Sequence, residues 1–344
     1  MKKAKRLISL AIGLSMVAGV SFVGCKKDDI PAEEITVYMP DGAPALALAG
    51  LMHEDKADDG VTYRVVDAAQ IAATTTNKDK EQNADLCVMP INAAANLHGT
   101  SGAYTMLGGV THGNLYMIAK SGGENDDFAY TAENLSSLIG KTVGVLQINN
   151  VPGLTFKAVL NKYGVAWQEL ANTDNAAADK VNLIALPDAS AVTSMGADCF
   201  VIAEPAATAQ SRNGFSIVGD LQKLYGGENG YPQAVLIAKT ELLETRGAWL
   251  EDFVGKVSES ADWLTEASGD QIVAAVNAHM NDRDMLSSLK APLLTVDVLG
   301  RCSVRFVYAA DIQDETQTFL EDIITVNAQA TKLPTAAFFW AYTP

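Results

Sequence analysis

Two stretches of the chain, ADLCVMPINAA at 84–94 and ADCFVIAEPAA at 197–207, share one order of features. Each begins with a short apolar run of the kind that forms a buried strand. Each then turns at a proline and enters a segment of small residues that favours the start of a helix. Because strand, turn and helix start recur in the same order, the two stretches predict equivalent positions in two similar lobes.

Two further pairs of segments agree with this prediction. The run ITVYMP at 35–40 stops at a turn before helix formers, and so does the run KTVGVL at 141–146. The runs LYMIAK at 115–120 and AVLIAK at 234–239 have the same ending. Strand-like runs that alternate with helical patterns indicate an α/β fold. We therefore expect an α/β protein of two topologically alike lobes with a ligand cleft between them.

The length and composition set outer limits. The chain has 344 residues, which exceeds the size of about 250–300 residues at which single cores stop growing. Hydrophobic residues make up 48% of it, which excludes global disorder. Its formal net charge is −16, and this argues against nucleic acid as a partner, since phosphate binding needs a basic face.

The first 24 residues have the layout of a secretory signal peptide. They hold four basic side chains and no acidic one, and the segment 7–23 is uncharged and apolar. Gly24 and Cys25 end this segment in a way that resembles the lipobox of bacterial lipoproteins, which implies lipidation of Cys25. The alternative is an uncleaved membrane anchor, because about 17 apolar residues are at the short limit of a spanning helix. In both cases we expect an extracytoplasmic body tethered to a bacterial cell membrane, with a polar linker at 25–34.

The candidate ligand site lies at the turns that follow the predicted strands. Ligands bind beyond the carboxyl ends of the strands in open α/β sheets. Each turn also feeds a helix N-terminus, whose free N–H groups can hold a polar ligand group. The candidate ligand-binding residues are Asp41, Gly42, Ala43, Pro44, Asn92, Ala93, Asn149, Asn150, Glu204 and Tyr231.

Each polar candidate also has a purely structural interpretation. Asp41 and Asn92 stand at helix starts, where such side chains are usually caps. One of the adjacent amides at 149–150 could satisfy the backbone of its own turn. Glu204 needs a positive partner if it is buried, and either an amino-bearing ligand or an Arg or Lys of the protein could supply one. Tyr231 could stack on a planar ligand or stiffen the connection between the lobes.

The sequence predicts no catalytic residue, metal site or cofactor. Its four histidines lack HxxxH or HExxH spacing, and no CxxC occurs. Cys87 and Cys199 lie in strand-like runs, as buried free thiols usually do. An enzyme would need a placed nucleophile or acid–base pair, and the turns offer only Asp41 and Glu204, one in each lobe.

Several of these segments resemble the substrate-binding lipoproteins of ABC importers, specifically the nitrate/sulfonate/taurine and thiamine-precursor group. The resemblance extends from about residue 35 to about residue 320. The segments that carry it are MPDGAPALA at 39–47, ADLCVMPINAA at 84–94, LIGKTVG at 138–144 and AEPA at 203–206. The segment RCSVRF at 301–306 also resembles a C-terminal segment of that family.

The resemblance implies a two-lobed periplasmic-binding-protein fold of type II, in which the chain crosses twice between lobes. Lobe 1 would comprise 35–118 and 233–344, and lobe 2 would comprise 119–232. It also implies a lipid-anchored, monomeric protein that binds a small-molecule ligand, closes by hinge motion and docks on an ABC permease.

The solute and one rival function remain open at this point. The scarcity of Arg and Lys in the turns favours a neutral or zwitterionic organic molecule, such as a heteroaromatic or amino-bearing vitamin precursor, and a sulfonate is the alternative. The rival function is a small-molecule lyase or biosynthetic enzyme on the same fold.

Overall fold

The computed structural model describes residues 34–54, 60–122 and 129–344. The predicted signal peptide, Cys25 and nearly all of the predicted linker lie outside these residues. Twelve strands occur in the described chain: β1 (Ile35–Pro40), β2 (Val61–Val66), β3 (Leu86–Pro90), β4 (Tyr104–Thr111), β5 (Leu115–Lys120), β6 (Thr142–Leu146), β7 (Trp167–Leu170), β8 (Val181–Leu186), β9 (Cys199–Ala203), β10 (Phe215–Asp220), β11 (Ala234–Lys239) and β12 (Val304–Tyr308).

The α-helices fall between these strands and after them. In the described residues they are α1 (Ala43–Leu46), α2 (Ala49–Glu54), α3 (Ile91–Ser101), α4 (Val151–Lys162), α5 (Ala206–Ala209), α6 (Leu221–Gly226), α7 (Thr240–Thr245), α8 (Gly247–Glu266), α9 (Gly269–Ala278), α10 (Val296–Arg301) and α11 (Gln313–Val326).

The strands form two six-stranded mixed sheets. The first sheet has the order β12-β4-β11-β3-β1-β2, and the second has the order β10-β5-β9-β6-β8-β7. In the first sheet β2, β1 and β3 are parallel, and β11 runs antiparallel to both β3 and β4. In the second sheet β8, β6 and β9 are parallel, and β5 runs antiparallel to both β9 and β10. Each sheet therefore repeats one pattern of five strands and adds one edge strand.

The three segment pairs found in the sequence occupy equivalent places in the two sheets. Superposing the order β2-β1-β3-β11-β4 on β8-β6-β9-β5-β10 matches β1 with β6, β3 with β9 and β11 with β5. Within each pair, the two strands have equivalent neighbours and run in the same direction relative to those neighbours. They therefore have the same role in their two sheets. The predicted α/β fold with two alike lobes is confirmed.

The chain passes between the sheets in two places. It leaves the first sheet at 112–114, between β4 and β5, and it returns at 230–233, just before β11. The boundary expected after residue 118 falls inside β5, and β5 pairs within the second sheet from Leu115 to Ala119. The first passage therefore comes earlier than expected. The runs LYMIAK and AVLIAK are alike because each is the antiparallel strand that enters a sheet directly after a passage.

One hydrophobic core continues from lobe to lobe. It holds Cys87 and Met89 of the first sheet, Val143 and Val201 of the second, and residues of α4 and α11 between them. A separate core packs α8 and α9 on the other face of the first sheet. The lobes are therefore joined by apolar packing on the side where α4 meets α11.

Helix α8 illustrates how a sequence pattern sets this packing. Its apolar residues recur at helical spacing, and Phe253 and Val257 are buried while Trp249 is partly covered. This is the core-facing stripe that the sequence predicts. Helix α9 follows directly and begins with a capping box in which Ser268 and Gln271 exchange hydrogen bonds. Within the described ranges, no helix has the length and apolar character needed to cross a membrane.

Candidate functional site

Asn114 and Gln233 tie the two passages to each other. Gln233 Nε2 donates to Asn114 Oδ1 at 2.8 Å, and Gln233 Oε1 accepts the backbone N–H of Asn114 at 3.0 Å. Asn114 Nδ2 also donates to the backbone oxygen of Glu204 at 3.1 Å, and the N–H of Glu204 donates back to Asn114 O at 2.8 Å. The two passages and the end of β9 therefore form one hydrogen-bonded hinge.

Glu204 carries a fully buried carboxylate at this hinge, and Arg301 is its partner. Arg301 Nε donates to Glu204 Oε1 at 2.6 Å, and the Glu204 side chain is 0% exposed. Thr208 completes the cluster: its hydroxyl donates to Glu204 Oε1 at 2.6 Å and its backbone N–H donates to Oε2 at 2.9 Å. Arg301 also donates to the Thr208 hydroxyl oxygen at 2.8 Å. Because Arg301 ends α10 and Glu204 follows β9, this ion pair joins the two lobes.

A cavity of about 490 Å³ lies beside this ion pair, between the lobes. The second sheet and α6 provide one wall, which includes Tyr116 and Gln222. Helices α8 and α10 and strand β12 provide the opposite wall, which includes Leu264 and Leu299. A volume of this size suits a small molecule. The charged residues that line the cavity are Asp220, Lys223, Glu228, Arg301 and Arg305.

These charged side chains differ in the hydrogen-bond and ion-pair partners that the protein gives them. Arg301 is paired with Glu204. The carboxylate of Asp220 caps α6 by accepting the backbone N–H of Lys223 at 3.0 Å. Arg305 NH2 donates to the backbone oxygen of Asn229 at 2.6 Å, and no ion-pair partner for Arg305 occurs in the described part of the chain. Burial lowers the pKa of Arg305, because desolvation disfavours its charged form.

The turn at 41–44 is held by a distant loop. Asp41 does not cap α1; its Oδ1 accepts the hydroxyl of Ser287 at 2.5 Å and its Oδ2 accepts the backbone N–H of Ser288 at 2.7 Å. Gly42 has φ 97°, a conformation that side chains disfavour, and no atom lies within 4 Å of the position a Cβ would take. The backbone at Gly42 is therefore open to close approach.

The turn after β3 contacts the C-terminal segment of the chain. Asn92 Nδ2 donates to the backbone oxygen of Ala330 at 3.4 Å, and Asn96 Nδ2 donates to the same oxygen at 3.1 Å. The hydroxyl of Thr331 donates to the backbone oxygen of Asn92 at 3.3 Å. Asn92 is not a cap of α3, whose N-cap is Pro90. Asn92 and the neighbouring Ala93 thus lie where the C-terminal segment crosses the lobe.

The turn before α4 is exposed and tightly folded. Asn149 and Asn150 are both exposed, and neither side chain makes a hydrogen bond within the described residues. Asn150 occupies the N-cap position without a side-chain cap. A Cβ at Gly153 would lie 2.0 Å from the backbone oxygen of Ile148, so the turn closes only with glycine there. The two amides remain available to other groups.

Tyr231 lies in the core beside the second passage. Its ring is 1% exposed and packs against Tyr225 and Phe319, with centroids 5.5 and 4.9 Å away. Its hydroxyl donates to Gln233 Oε1 at 3.3 Å, and burial raises the pKa of this phenol. The ring is covered by protein in this structure and supports the hinge; it offers no free face on which a ligand could stack.

The three cysteines of the described chain offer little for covalent chemistry. Cys87, Cys199 and Cys302 are buried free thiols, as the sequence predicts for the first two. Burial raises the pKa of each to about 12, so they stay protonated and poorly nucleophilic at neutral pH. No group of three or more His, Cys, Asp or Glu side chains in the described ranges could hold a metal ion.

The structure therefore brings together only part of the candidate set. Hydrogen bonds join Glu204 to the hinge beside Tyr231, whereas in the described chain Asp41 and Asn92 bind the other segments named above. Sequence reasoning missed Arg301 and Arg305 as cavity residues. The sequence signal for them was the segment RCSVRF, which places two arginines four positions apart in an acidic chain. The local sequence does not indicate which lobe this segment faces.

No protein-family model matches the sequence, and no curated protein matches it either. Solved structures do match. The chain is similar to an ABC transporter from Parabacteroides distasonis, with a TM-score of 0.68 and 19% identity over 90% of this chain and 99% of that chain. It is similar to the periplasmic aliphatic sulphonate binding protein SsuA from Escherichia coli, with a TM-score of 0.65 and 15% identity over 90% of this chain and 93% of that one.

A third similar structure is the alkanesulfonate-binding protein SsuA from Xanthomonas axonopodis pv. citri bound to MOPS. The TM-score is 0.58 at 12% identity, over 90% of this chain and 98% of that one. At these identities the similarity concerns the fold. The chain has the two-lobed fold of the periplasmic binding proteins that serve ABC transporters.

Proposed function

We propose that this chain is an extracytoplasmic solute-binding protein that captures a small organic molecule between its lobes and delivers it to an ABC permease. The observation that carries the proposal is the cavity of about 490 Å³ between two alike lobes, next to the interlobe ion pair of Arg301 and Glu204. The similar structures support it, because two of them are sulfonate-binding proteins by name and the third is an ABC transporter.

The hinge provides a mechanism for capture. Each lobe keeps its own sheet, and the passages at 112–114 and 230–233 are the two connections between those sheets that run through the hinge. Rotation about these short segments would open the cavity to solvent and close it over a solute. The ion pair of Arg301 and Glu204 would break in the open state and re-form on closure, so no chemical reaction is required. The lobe limits, 34–111 with 234–344 and 115–229, belong to this proposal.

The remaining parts of the proposal concern the segment before residue 34 and the candidate turns. Residues 1–24 would be removed as a signal peptide, Cys25 would carry the lipid that anchors the mature protein, and the protein would act as a monomer. Gly42, Ala43, Asn149 and Asn150 stay proposed as ligand contacts in the closing cleft. Nothing lies within 4 Å of the Cβ position of Gly42, and the side chains of Asn149 and Asn150 are exposed.

The contacts of Glu204 bear on the choice of solute. An amino-bearing solute was attractive because a buried carboxylate needs a positive partner, but Arg301 already fills that role. A planar heteroaromatic solute could gain a stacking contact from Tyr231, but that ring is covered by Tyr225 and Phe319. The sulfonate alternative depends on neither contact. We therefore favour an anionic organic solute over an amino-bearing or heteroaromatic one.

A thermal-shift screen of the full-length protein in mild detergent tests the proposed function. The panel should contain organic sulfonates, carboxylates, pyrimidines and other amines, each at millimolar concentration. A solute at a hundredfold excess over its Kd should stabilise the folded protein by roughly 2.7 kcal/mol through linkage. A turnover assay on each hit separates a binding protein from an enzyme. Chemical conversion of a hit would contradict the proposal, and so would the absence of any stabilising compound.

A further inference from the structure

A second space between the lobes, the rear groove, lies on the side where α4 meets α11. Its volume is about 700 Å³. Lobe 2 supplies one wall, with Asn161 and Lys162 of α4 and Tyr225 of α6. Lobe 1 supplies the other wall, with Thr318 and Thr325 of α11. No described residue lines both this groove and the interlobe cavity, so the two spaces are separate.

The rear groove and the interlobe cavity lie on opposite sides of the hinge. Tyr116 of β5 lines the cavity, whereas the next residue, Met117, packs in the core that contains α4. Successive side chains of a strand point to opposite faces of the sheet. In lobe 1, α8 and α10 line the cavity and belong to a different core from α11. The groove and the cavity are therefore on opposite faces of both lobes.

The chain just before the second passage separates the two spaces. Gly227 and Glu228 line the cavity, whereas Gly226, Asn229 and Gly230 line the groove. The passages at 112–114 and 230–233 thus run between the cavity on one side and the groove on the other. Because the passages form the axis of rotation, a rotation that widens the cavity narrows the groove.

The inner side of the rear groove is a packed contact between the lobes. The ring of Phe319 in α11 lies 5.1 Å from that of Tyr225 and 4.9 Å from that of Tyr231, measured between centroids. The hydroxyl of Tyr225 donates to Asp322 Oδ2 at 2.6 Å. These contacts join α6 of lobe 2 to α11 of lobe 1 beside the second passage, and they give the rotation a fixed edge.

The outer part of the groove is not filled by side chains. Thr318 and Thr325 are short and exposed on the wall of α11. On the wall of α4, Lys162 is exposed and forms no ion pair within the described residues, while Asp314 and Glu315 line the groove from α11. Narrowing the groove brings these opposite charges closer together, which is electrostatically favourable. The groove therefore has both the space and the charges that allow the two walls to approach.

We propose that the rear groove is the clearance into which the lobes rotate when the interlobe cavity opens, so that bulk placed in the groove holds the cavity closed. The inference rests on the proposed function, and it assigns the regulation of the cavity to a surface that the solute does not touch. A group in the groove fits the closed state and clashes in the open state. That difference between the two states is what shifts the equilibrium between them.

A tryptophan in the groove tests this without any solute. T318W adds a large ring to the exposed wall of α11. Spin labels at R212C on lobe 2 and E259C on lobe 1, two exposed positions outside both spaces, report the separation of the lobes by double electron–electron resonance. The measurement uses the full-length protein in mild detergent, and the three described cysteines are buried and do not take the label.

We expect a shorter and a longer distance in the labelled parent protein, for the closed and the open cavity. T318W should reduce the population of the longer distance at least threefold. E321W is the matched control, because Glu321 is exposed on the same helix but does not line the groove. It should leave the two populations as they are in the parent.

Two results would overturn the inference. One is equal populations in T318W and E321W. The other is a single distance shared by all the proteins, because there would then be no opening for the groove to accommodate. If T318W does not fold, T325W decides, since it places the same ring on the same wall two helical turns further along.

The two proposals fail in distinguishable ways, because the distance measurement needs no solute. A stabilising compound in the thermal-shift panel, together with unchanged distances in T318W, would overturn the clearance inference and leave the solute-binding function standing. A smaller open population in T318W, together with no stabilising compound, would overturn the solute-binding function and leave the rotation of the lobes standing.

Discussion

The buried carboxylate of Glu204 gives the sharpest prediction at the scale of single residues. Arg301 is its ion-pair partner and is 33% exposed, whereas the carboxylate is 0% exposed. R301M keeps most of the aliphatic volume but leaves a buried charge uncompensated. We expect the free energy of unfolding to fall by about 2–4 kcal/mol, near the lower part of the range for buried pairs because Arg301 is partly solvated. Urea denaturation at pH 7 measures the change.

Two further variants test the reason for that loss. The double variant E204Q/R301M should recover a large part of the lost stability, because no buried charge remains. K256M removes an ion pair with Asp252 whose side chains are 58% and 63% exposed, and it should change stability little. If R301M unfolds at the same urea concentration as K256M, the pair does not stabilise the hinge as we argue.

His112 gives a prediction for pH. It is 3% exposed in the first passage, and its Nε2 has no hydrogen-bond partner among the described residues. Burial, with a smaller effect from the charge of Arg305, lowers its pKa from 6.5 to about 3. Between these values the unfolded chain takes up a proton that the folded chain does not. Stability should therefore fall as the pH drops from 6.5 towards 3, by at most about 1.4 kcal/mol per pH unit from this group.

Urea midpoints at pH 7.0 and 4.5 check this, with H112N as the comparison. The variant cannot take up that proton, so the acid-induced loss should be larger in the unaltered protein than in H112N. The carboxylates, which also titrate in this pH range, contribute equally to both proteins, so their effect cancels in the difference. Identical losses in the two proteins would show that His112 is protonated as easily in the fold as in water.

Residue-scale reasoning from the sequence reached the need of Glu204 for a partner but not the partner itself. A buried carboxylate after a strand follows from local pattern, because the strand and the turn are both visible in the sequence. Arg301 lies 97 positions further along the chain. Which distant cation meets Glu204 depends on how α10 packs, and a single sequence carries no signal for that contact.

Glycines in two helices give the prediction at the scale of the element. Gly153 lies in the first turn of α4, where a Cβ would stand 2.0 Å from the backbone oxygen of Ile148. G153A must displace the turn and should reduce stability by about 2–3 kcal/mol. Gly255 lies within α8 with no atom within 4 Å of its Cβ position, so G255A should stabilise by about 0.5–1 kcal/mol. Thermal unfolding of the two variants should shift in opposite directions, and shifts of the same sign would contradict this account.

Elements were easier to predict than their membership in a lobe. The strands β3 and β9 were visible because each couples an apolar run to a proline-bearing turn, which is local information. The boundary within β5 was wrong because the run itself does not state which sheet it joins. That assignment depends on the antiparallel pairing of β5 with β9, which lies about eighty residues away.

At the scale of the whole molecule, the duplicated strand order was predictable and the cavity was not. The order repeats because the same strand–turn–helix segments occur twice in the chain, so comparing segments reveals it. The cavity forms between α6 of the second lobe and α8, α10 and β12 of the first, and the last three come from the final third of the chain. They reach the cleft through long-range packing. The scarcity of cations in the predicted turns therefore did not describe the surface that a solute would meet.

The hinge gives the prediction for the whole molecule, because both passages are coupled there through two side chains. Asn114 and Gln233 exchange two hydrogen bonds of 2.8 and 3.0 Å, and Asn114 binds Glu204 at the end of β9 through its amide and its backbone oxygen. N114A and Q233A should each destabilise the protein by about 1–3 kcal/mol, since each leaves buried polar groups unpaired. The double variant should be less destabilised than the sum of the two, by at least about 0.5 kcal/mol, because the shared hydrogen bonds are lost only once. Urea denaturation of the four proteins completes this cycle. Strictly additive effects would mean that these two side chains do not couple the passages.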